Sequence, residues 1–231
     1  MDTFNLSHLA ENDVRTAGHQ LLYSNQTKFQ SFEEIAQYCT NSFYNALLGA
    51  DSRPAFALIR IFRATRREDL PPELQAQVTT PYALALMGTS GLEPDWNDRT
   101  RSVRRKAIPI DQHMSPMFQG VFHALGFSWE GFAHDAVPKG EDDSTITRLF
   151  HVGDVATSSY ITDQSTFVQP YGIKSVLAIG SPFLGGAAYV LIAFSLITIS
   201  QEVAHKLSTL APYLSTLLAG YNQRGVLWKQ G

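Results

Sequence analysis

The sequence predicts an α+β domain, with helices packed on an antiparallel sheet, from three observations. Apolar runs and helical stripes follow one another as helix, strand, strand, helix, strand, hairpin, helix. The helices cluster toward the ends and the strands pair antiparallel, which is the α+β pattern. Third, the most apolar stretch, SVLAIGSPFLGGAAYVLIAFSLITIS at 175–200, breaks where a membrane helix is strongest. It has the length of a span, about 20 residues, and no charge. But Gly180-Ser181-Pro182 and Gly185-Gly186 stand in its middle. Pro costs a helix interior about 3 kcal/mol and Gly about 1. The flanking runs, 175–179 and 188–196, are rich in Val, Ile, Tyr and Phe and read as a β-hairpin. Their near-continuous apolarity means both faces are covered.

The other elements follow in order. Residues 1–30 are polar with scattered apolar positions and predict a loosely amphipathic lead-in helix. Ser31-Phe32-Glu33-Glu34 is a capping box. Behind it Phe32, Ile35, Ala36, Cys39, Phe43 and Leu47 recur at helical spacing, ending at Gly49. That spacing places Cys39 on the buried face. After Pro54, AFALIRIFR is strand-forming, with Ala55, Ala57, Ile59 and Ile61 facing one way and Phe56, Leu58, Arg60 and Phe62 the other. Arg60 interrupts an apolar face: it either emerges at a sheet end or points into a pocket and holds an anion. Residues 82–87 form the second strand, closed by Gly88 and Gly91.

Residues 95–106 are the most basic segment, with Arg99, Arg101, Arg104, Arg105 and Lys106. One aromatic, Trp96, is no stacking ladder for single strands, so a solvated loop is expected. Ser115-Pro116 opens the next helix, its stripe running from Met117 to Leu125 and its end at Gly126. A polar, acidic excursion follows between 136 and 147, expected to be mobile. Residues 149–152 form a short strand. Ser200 caps a final helix in which Val203, Leu207, Leu210, Leu214, Leu217 and Leu218 make a near-heptad stripe. Pro212 is expected to kink it or relax its ladder. A long apolar-faced terminal helix is a dimer surface in waiting.

Composition bounds the function. The 231 residues carry a formal net charge of −3, which gives no bias toward nucleic acid. The single cysteine forbids an intrachain disulfide and fits a reducing, cytoplasmic compartment. The N-terminus has no basic and apolar signal regions, and no membrane role is expected. Nucleophile elbows, Walker loops and zinc spacings are absent from the sequence. His113, His123, His134 and His151 fall in one stretch but share no i, i+4 pair, so ordinary hydrogen-bonded histidines are expected; haem ligation is the alternative.

The segment FHVGDVATSSYITDQSTFVQPYGIKSVLAIGSPF, at 150–183, resembles the late half of GAF-like sensory domains of bacterial signalling proteins. LALMGTSGLEPDWNDR followed by AIPI resembles the same family's second strand and connecting loop, and ALIRIF its first strand. PYGIKSVLAIG is the most specific piece. The resemblance spans about 31–218 and implies an antiparallel sheet, flanking helices used for dimerisation, and a pocket between sheet and long loops. It divides the chain into a helical extension (1–30), a GAF-like sensor domain (31–220) and a tail (221–231). No room is expected here for the family's usual output modules, and the expectation is a stand-alone sensor, an excised module or one acting through a downstream signalling partner. The family includes methionine-sulfoxide reductases with several cysteines; one cysteine argues against that activity, and a domain without catalytic activity is expected. Arg60, Trp96, His123, His151 and Tyr171 are the expected ligand-binding residues. Arg60 pairs with an anionic group, Trp96 and Tyr171 stack, and the histidines donate hydrogen bonds or bind iron. The expected function is ligand sensing by a change at a helical homodimer interface. A haem-based gas or redox sensor and a ligand-free dimerisation scaffold are the alternatives.

Overall fold

The computed structural model describes residues 1–23, 28–102, 105–133, 148–183 and 186–229. The expected excursion at 136–147, and with it Arg104, His134 and Gly185, lies outside them. In chain order the strands are β1 (Phe4–Asn5), β2 (Leu47–Leu48), β3 (Phe56–Arg66), β4 (Tyr82–Gly91), β5 (Ala107–Pro109), β6 (Leu149–Val152), β7 (Ser175–Pro182) and β8 (Ala188–Ser195). The helices are α1 (Glu11–Tyr23), α2 (Phe32–Ala46), α3 (Pro72–Gln75), α4 (Pro116–Leu125), α5 (Trp129–Ala133), α6 (Gln169–Tyr171), α7 (Gln201–Ser208) and α8 (Ala211–Arg224).

Six strands form one sheet in the order β5-β4-β3-β8-β7-β6, with every neighbouring pair antiparallel. This is the α+β architecture the pattern predicts. The apolar stretch at 175–200 is the β7–β8 hairpin, in register from Ser175 opposite Ser195 to Pro182 opposite Ala188. No helix among the described residues is long and apolar enough to cross a membrane.

The sheet separates two cores. On one face α1, α2, α7 and α8 cover Ile59, Ile61, Ala85, Met87, Leu191 and their neighbours. On the other, α4, α5 and the long loops cover Leu58, Phe62, Leu84, Val190 and Phe194. Strict alternation along β3 fails at its start. A bulge between Phe56 and Leu58 turns Phe56 to the helix face and Ala57 to the other. A second irregularity, opposite Ile61 and Phe62, leaves Met87 as an extra residue of β4. There α2 comes so close that a Cβ on Gly88 would stand 2.5 Å from the Ala36 carbonyl. Beyond Gly88 the outer edge of β4 is unpaired by β5, and Gln37 substitutes for a strand. Its amide accepts from Thr89 N (3.1 Å) and donates to Thr89 O (2.7 Å).

The capping box opens α2 as the sequence predicts: Ser31 Oγ accepts from Glu34 N, and Glu34 Oε2 accepts from Ser31 N. The tail serves the same helix end. Phe32 N and Glu33 N, which lack intrahelical partners, donate to the carbonyls of Val226 and Leu227. Gly126, at φ 73°, closes α4 in the left-handed region. The lead-in helix is α1; its Gly18 lies under the Tyr213 ring of α8, which a Cβ would meet at 2.6 Å.

The terminal helix differs from expectation in two ways. Pro212 does not kink one helix; the chain breaks at Thr209–Leu210 and Pro212 starts α8 in its first turn. The leucine stripe faces inward. Leu207, Leu210, Leu214, Leu217 and Leu218 are all buried in the domain's own core, each contributing about 1.5–3 kcal/mol of burial. Outward, α8 presents Pro212, Thr216 and Gly220.

Candidate functional site

On the sheet face away from α1 and α2 lies a cavity of about 580 Å³. Leu58 and Arg60 of β3 and Phe194 of β8 form its floor. Glu93, Pro94, Asp95 and Trp96, from the turn after β4, make one wall. Arg101, Ser102 and Arg105 make the second, and Asp163, Thr166, Phe167 and Tyr171 the third.

Local sequence sets each wall. Asn97 holds the first by accepting from Gly91 N and donating to Gly91 O. Gly91 must lack a side chain, because a Cβ there would lie 2.9 Å from the Trp96 ring and 2.6 Å from the Ala57 carbonyl. The third wall is a π-turn, Gln164–Val168, running into α6 and stopped by Gly172 at φ 64°. These turns bring the rings together. Trp96 and Tyr171 have centroids 4.6 Å apart, Trp96 and Phe167 5.8 Å, and Phe167 meets Phe194 edge-on at 4.9 Å.

The cavity's charges are mostly matched in pairs. Arg101 contacts Asp95 at 2.9 Å, and Arg105 bridges to Asp163 across two walls. Glu93, exposed on the turn, has no ion-pair partner among the described residues, and neither has Arg60. Its Nη2 donates to Ser102 Oγ at 3.1 Å, and its Nε, shielded from solvent, has no partner among the described residues. Burial, with the like charge of Arg105 adding to it, lowers its pKa to about 10, which still leaves it charged at neutral pH. A shielded charge without a counter-charge is costly.

Of the residues expected at a ligand site, Arg60, Trp96 and Tyr171 line this cavity, and His123 and His151 lie elsewhere. His123 is exposed on α4. His151 is on β6, and its Nε2 lies 3.0 Å from the Ile199 carbonyl. Burial lowers its pKa, with His205 adding to that and the Ile199 bond opposing it. Among the described residues no three His, Cys, Asp or Glu side chains gather as a metal site. Cys39 is fully buried in α2, and burial pushes its thiol pKa up, so its thiolate is suppressed.

Sequence reasoning missed Phe167, Phe194, Ser102 and Asp163. Phe194 was legible as the inward partner of Leu58; the others sit in loops whose path no periodicity encodes. The basic segment is neutralised piecemeal. Arg99 contacts Glu33 at 2.9 Å and lies over the Trp228 ring, while Lys106 donates to the Thr100 carbonyl.

No protein-family model and no curated protein sequence matches the chain. Solved structures do. Free methionine-R-sulfoxide reductase from Neisseria meningitidis, in complex with its substrate, is similar at 15% identity and a TM-score of 0.56, covering 96% of this chain and 99% of that one. The GAF domain of a phosphoenolpyruvate-protein phosphotransferase from Coxiella burnetii is similar at 12% identity and a TM-score of 0.54, covering 95% and 100%. The corresponding GAF domain from Acinetobacter gives 12% and 0.50, covering 90% and 94%. The chain therefore has a GAF-like fold. One of these neighbours is a reductase, which corrects the expectation of a domain without catalytic activity: the fold is one that enzymes also use.

Proposed function

We propose that this GAF-like domain is a sensory or regulatory module that takes a small molecule into the cavity between its sheet and its long loops. The observation that carries this reading is the cavity itself. Its volume, about 580 Å³, falls in the range of small-molecule sites, and four aromatic rings and a shielded arginine converge on it. The GAF-like fold supports a regulatory role at the coarse level.

The route from cavity to helices runs through β3. Arg60 faces the cavity, and three residues on Arg63 faces the helices. Its Nε donates to Asn222 of α8 at 2.9 Å, and its guanidinium lies 5.8 Å from the Phe32 ring of α2. A ligand that draws the loop walls onto the sheet shifts β3 between its neighbours and thereby the seat of α8. Population shift of this kind needs only a ligand with different affinities for two arrangements. The outward faces of α1 and α8 are the surface offered to a second copy of the chain, since the leucine stripe is spent on the domain's own core.

The test is native mass spectrometry, with an absorption spectrum, on protein isolated from its own cells under gentle conditions. The reading expects a small-molecule adduct on the folded chain that Phe194→Asp abolishes. Apoprotein mass alone, with the cavity closed to every small molecule offered, overturns it.

A further inference from the structure

The described residues hold two shielded side-chain polar atoms without a hydrogen-bond partner, Arg60 Nε and Thr89 Oγ1. They are not scattered. Arg60 and Thr89 are direct Cα partners in the β3–β4 register. They also share a face: Ser90 Oγ bonds Thr40 and Asn41 of α2, so Thr89, one residue earlier, projects to the same side of the sheet as Arg60; Arg60 lines the cavity, and Thr89 lies buried behind the lining. Two unsatisfied groups side by side in an otherwise satisfied sheet are unusual in a native fold.

Both can donate. Arg Nε carries one N–H and no lone pair for accepting, and a threonine hydroxyl donates or accepts. Of the two residues, Arg60 reaches the cavity, and a group there that accepts from its guanidinium and neutralises it supplies the counter-charge the described residues do not. A carboxylate or phosphate oxygen does this, and a neutral amide does not. Within the cavity, Trp96 and Tyr171 line the same space as Arg60.

The geometry points to an organic anion as the ligand: a carboxylate or phosphate seated on the guanidinium of Arg60, carrying a planar ring that packs on Trp96 and Tyr171. This rests on the cavity being the ligand site, as proposed above. The Arg105–Asp163 pair is already matched and takes no part in anchoring.

The test is calorimetric titration with indole-3-acetate, its neutral isostere indole-3-acetamide, acetate and phenyl phosphate. The inference expects an aromatic anion to bind at least tenfold more tightly than the amide, and acetate to bind weakly for want of a ring. Indole-3-acetate against phenyl phosphate identifies which acid the site prefers. Thr89→Val, behind the cavity lining, leaves the gap between acid and amide in place. Arg60→Gln abolishes it, and Arg60→Lys, a charge without the fork, restores part of it. Far-ultraviolet dichroism checks that each variant is folded. Equal binding of acid and amide, or a gap that survives Arg60→Gln, overturns the anion and leaves the cavity reading standing. If no compound binds but native mass spectrometry finds another small molecule, this inference falls alone. If that measurement also finds bare apoprotein, both fall.

Discussion

Arg60 and Thr89 stand opposite each other in the β3–β4 ladder, and each shields from solvent a polar atom that no described residue satisfies. Elsewhere this sheet is careful with its polar groups. Gln37 pairs the free edge of β4 through both of its amide atoms, and Ser175 and Ser195 tie the hairpin to neighbouring carbonyls. Unmet demand at one adjacent pair marks a place built for something other than stability.

Removing that demand should not harm the empty protein. Leaving a buried donor unpaired costs about 1–3 kcal/mol, and a buried unpaired charge more. Arg60→Met and Thr89→Val are therefore expected to hold or raise the stability of the ligand-free protein, by about 1 kcal/mol each. Urea unfolding curves measure this. A loss above about 2 kcal/mol would show these residues to be ordinary parts of the core.

Gly88 should tolerate no side chain. Its missing Cβ lets the backbone of α2 rest against β4 at a bulge, and neither backbone has a flexible end that can yield. Gly88→Ala is expected to cost about 1–3 kcal/mol, read as a lower urea midpoint at unchanged slope. An unchanged midpoint contradicts the packing described.

His151 should make stability fall in mild acid. Its folded pKa lies below the ordinary histidine value, chiefly because burial penalises the cation. Between the folded pKa and about 6.5 the unfolded chain binds more protons, so stability rises with pH across that window. As pH falls through it, stability is lost. Melting at pH 7.5 and 5.0 should differ less in His151→Gln than in the natural sequence. An unchanged difference would assign the acid sensitivity to other groups.

The leucine stripe should behave as core. Leu214 is fully buried; truncating such a residue costs about 2–5 kcal/mol, and a carboxylate there costs more. Leu214→Glu is expected to abolish the cooperative melt, whereas Thr216→Glu, on the outward side of α8, leaves it intact. A folded monomeric Leu214→Glu protein would instead make the stripe an interface between copies.

Much of the fold was legible in the sequence because single residues carried it. Ser31 with Glu34 and Pro116 with Gly126 each name an element boundary by chemistry, whereas Gly180-Ser181-Pro182, read as turn residues, are paired residues of β7. The faces of β3 were read correctly from Leu58 to Phe62. They failed at Phe56 because a bulge adds a residue without a sequence mark. The terminal stripe shows a different limit: its spacing is the same whether leucines face a partner helix or their own sheet, and only tertiary packing decides. At the cavity, Arg60 stood out as a charge in an apolar run, and Trp96 and Tyr171 as rings in loops. Thr89 did not stand out, since a threonine in a strand is unremarkable until its hydroxyl proves unpartnered. Phe167 and Asp163 reach the cavity through a loop whose course depends on contacts far along the chain.

The most direct measurement is a crystal structure of the protein isolated from its own cells, read at the cavity between Arg60 and Trp96. The account predicts non-protein density there, with an acidic group within hydrogen-bonding distance of the Arg60 guanidinium and a flat portion against Trp96 and Tyr171. A cavity holding only water, or one collapsed so that a side chain of the protein itself pairs with Arg60, would contradict it.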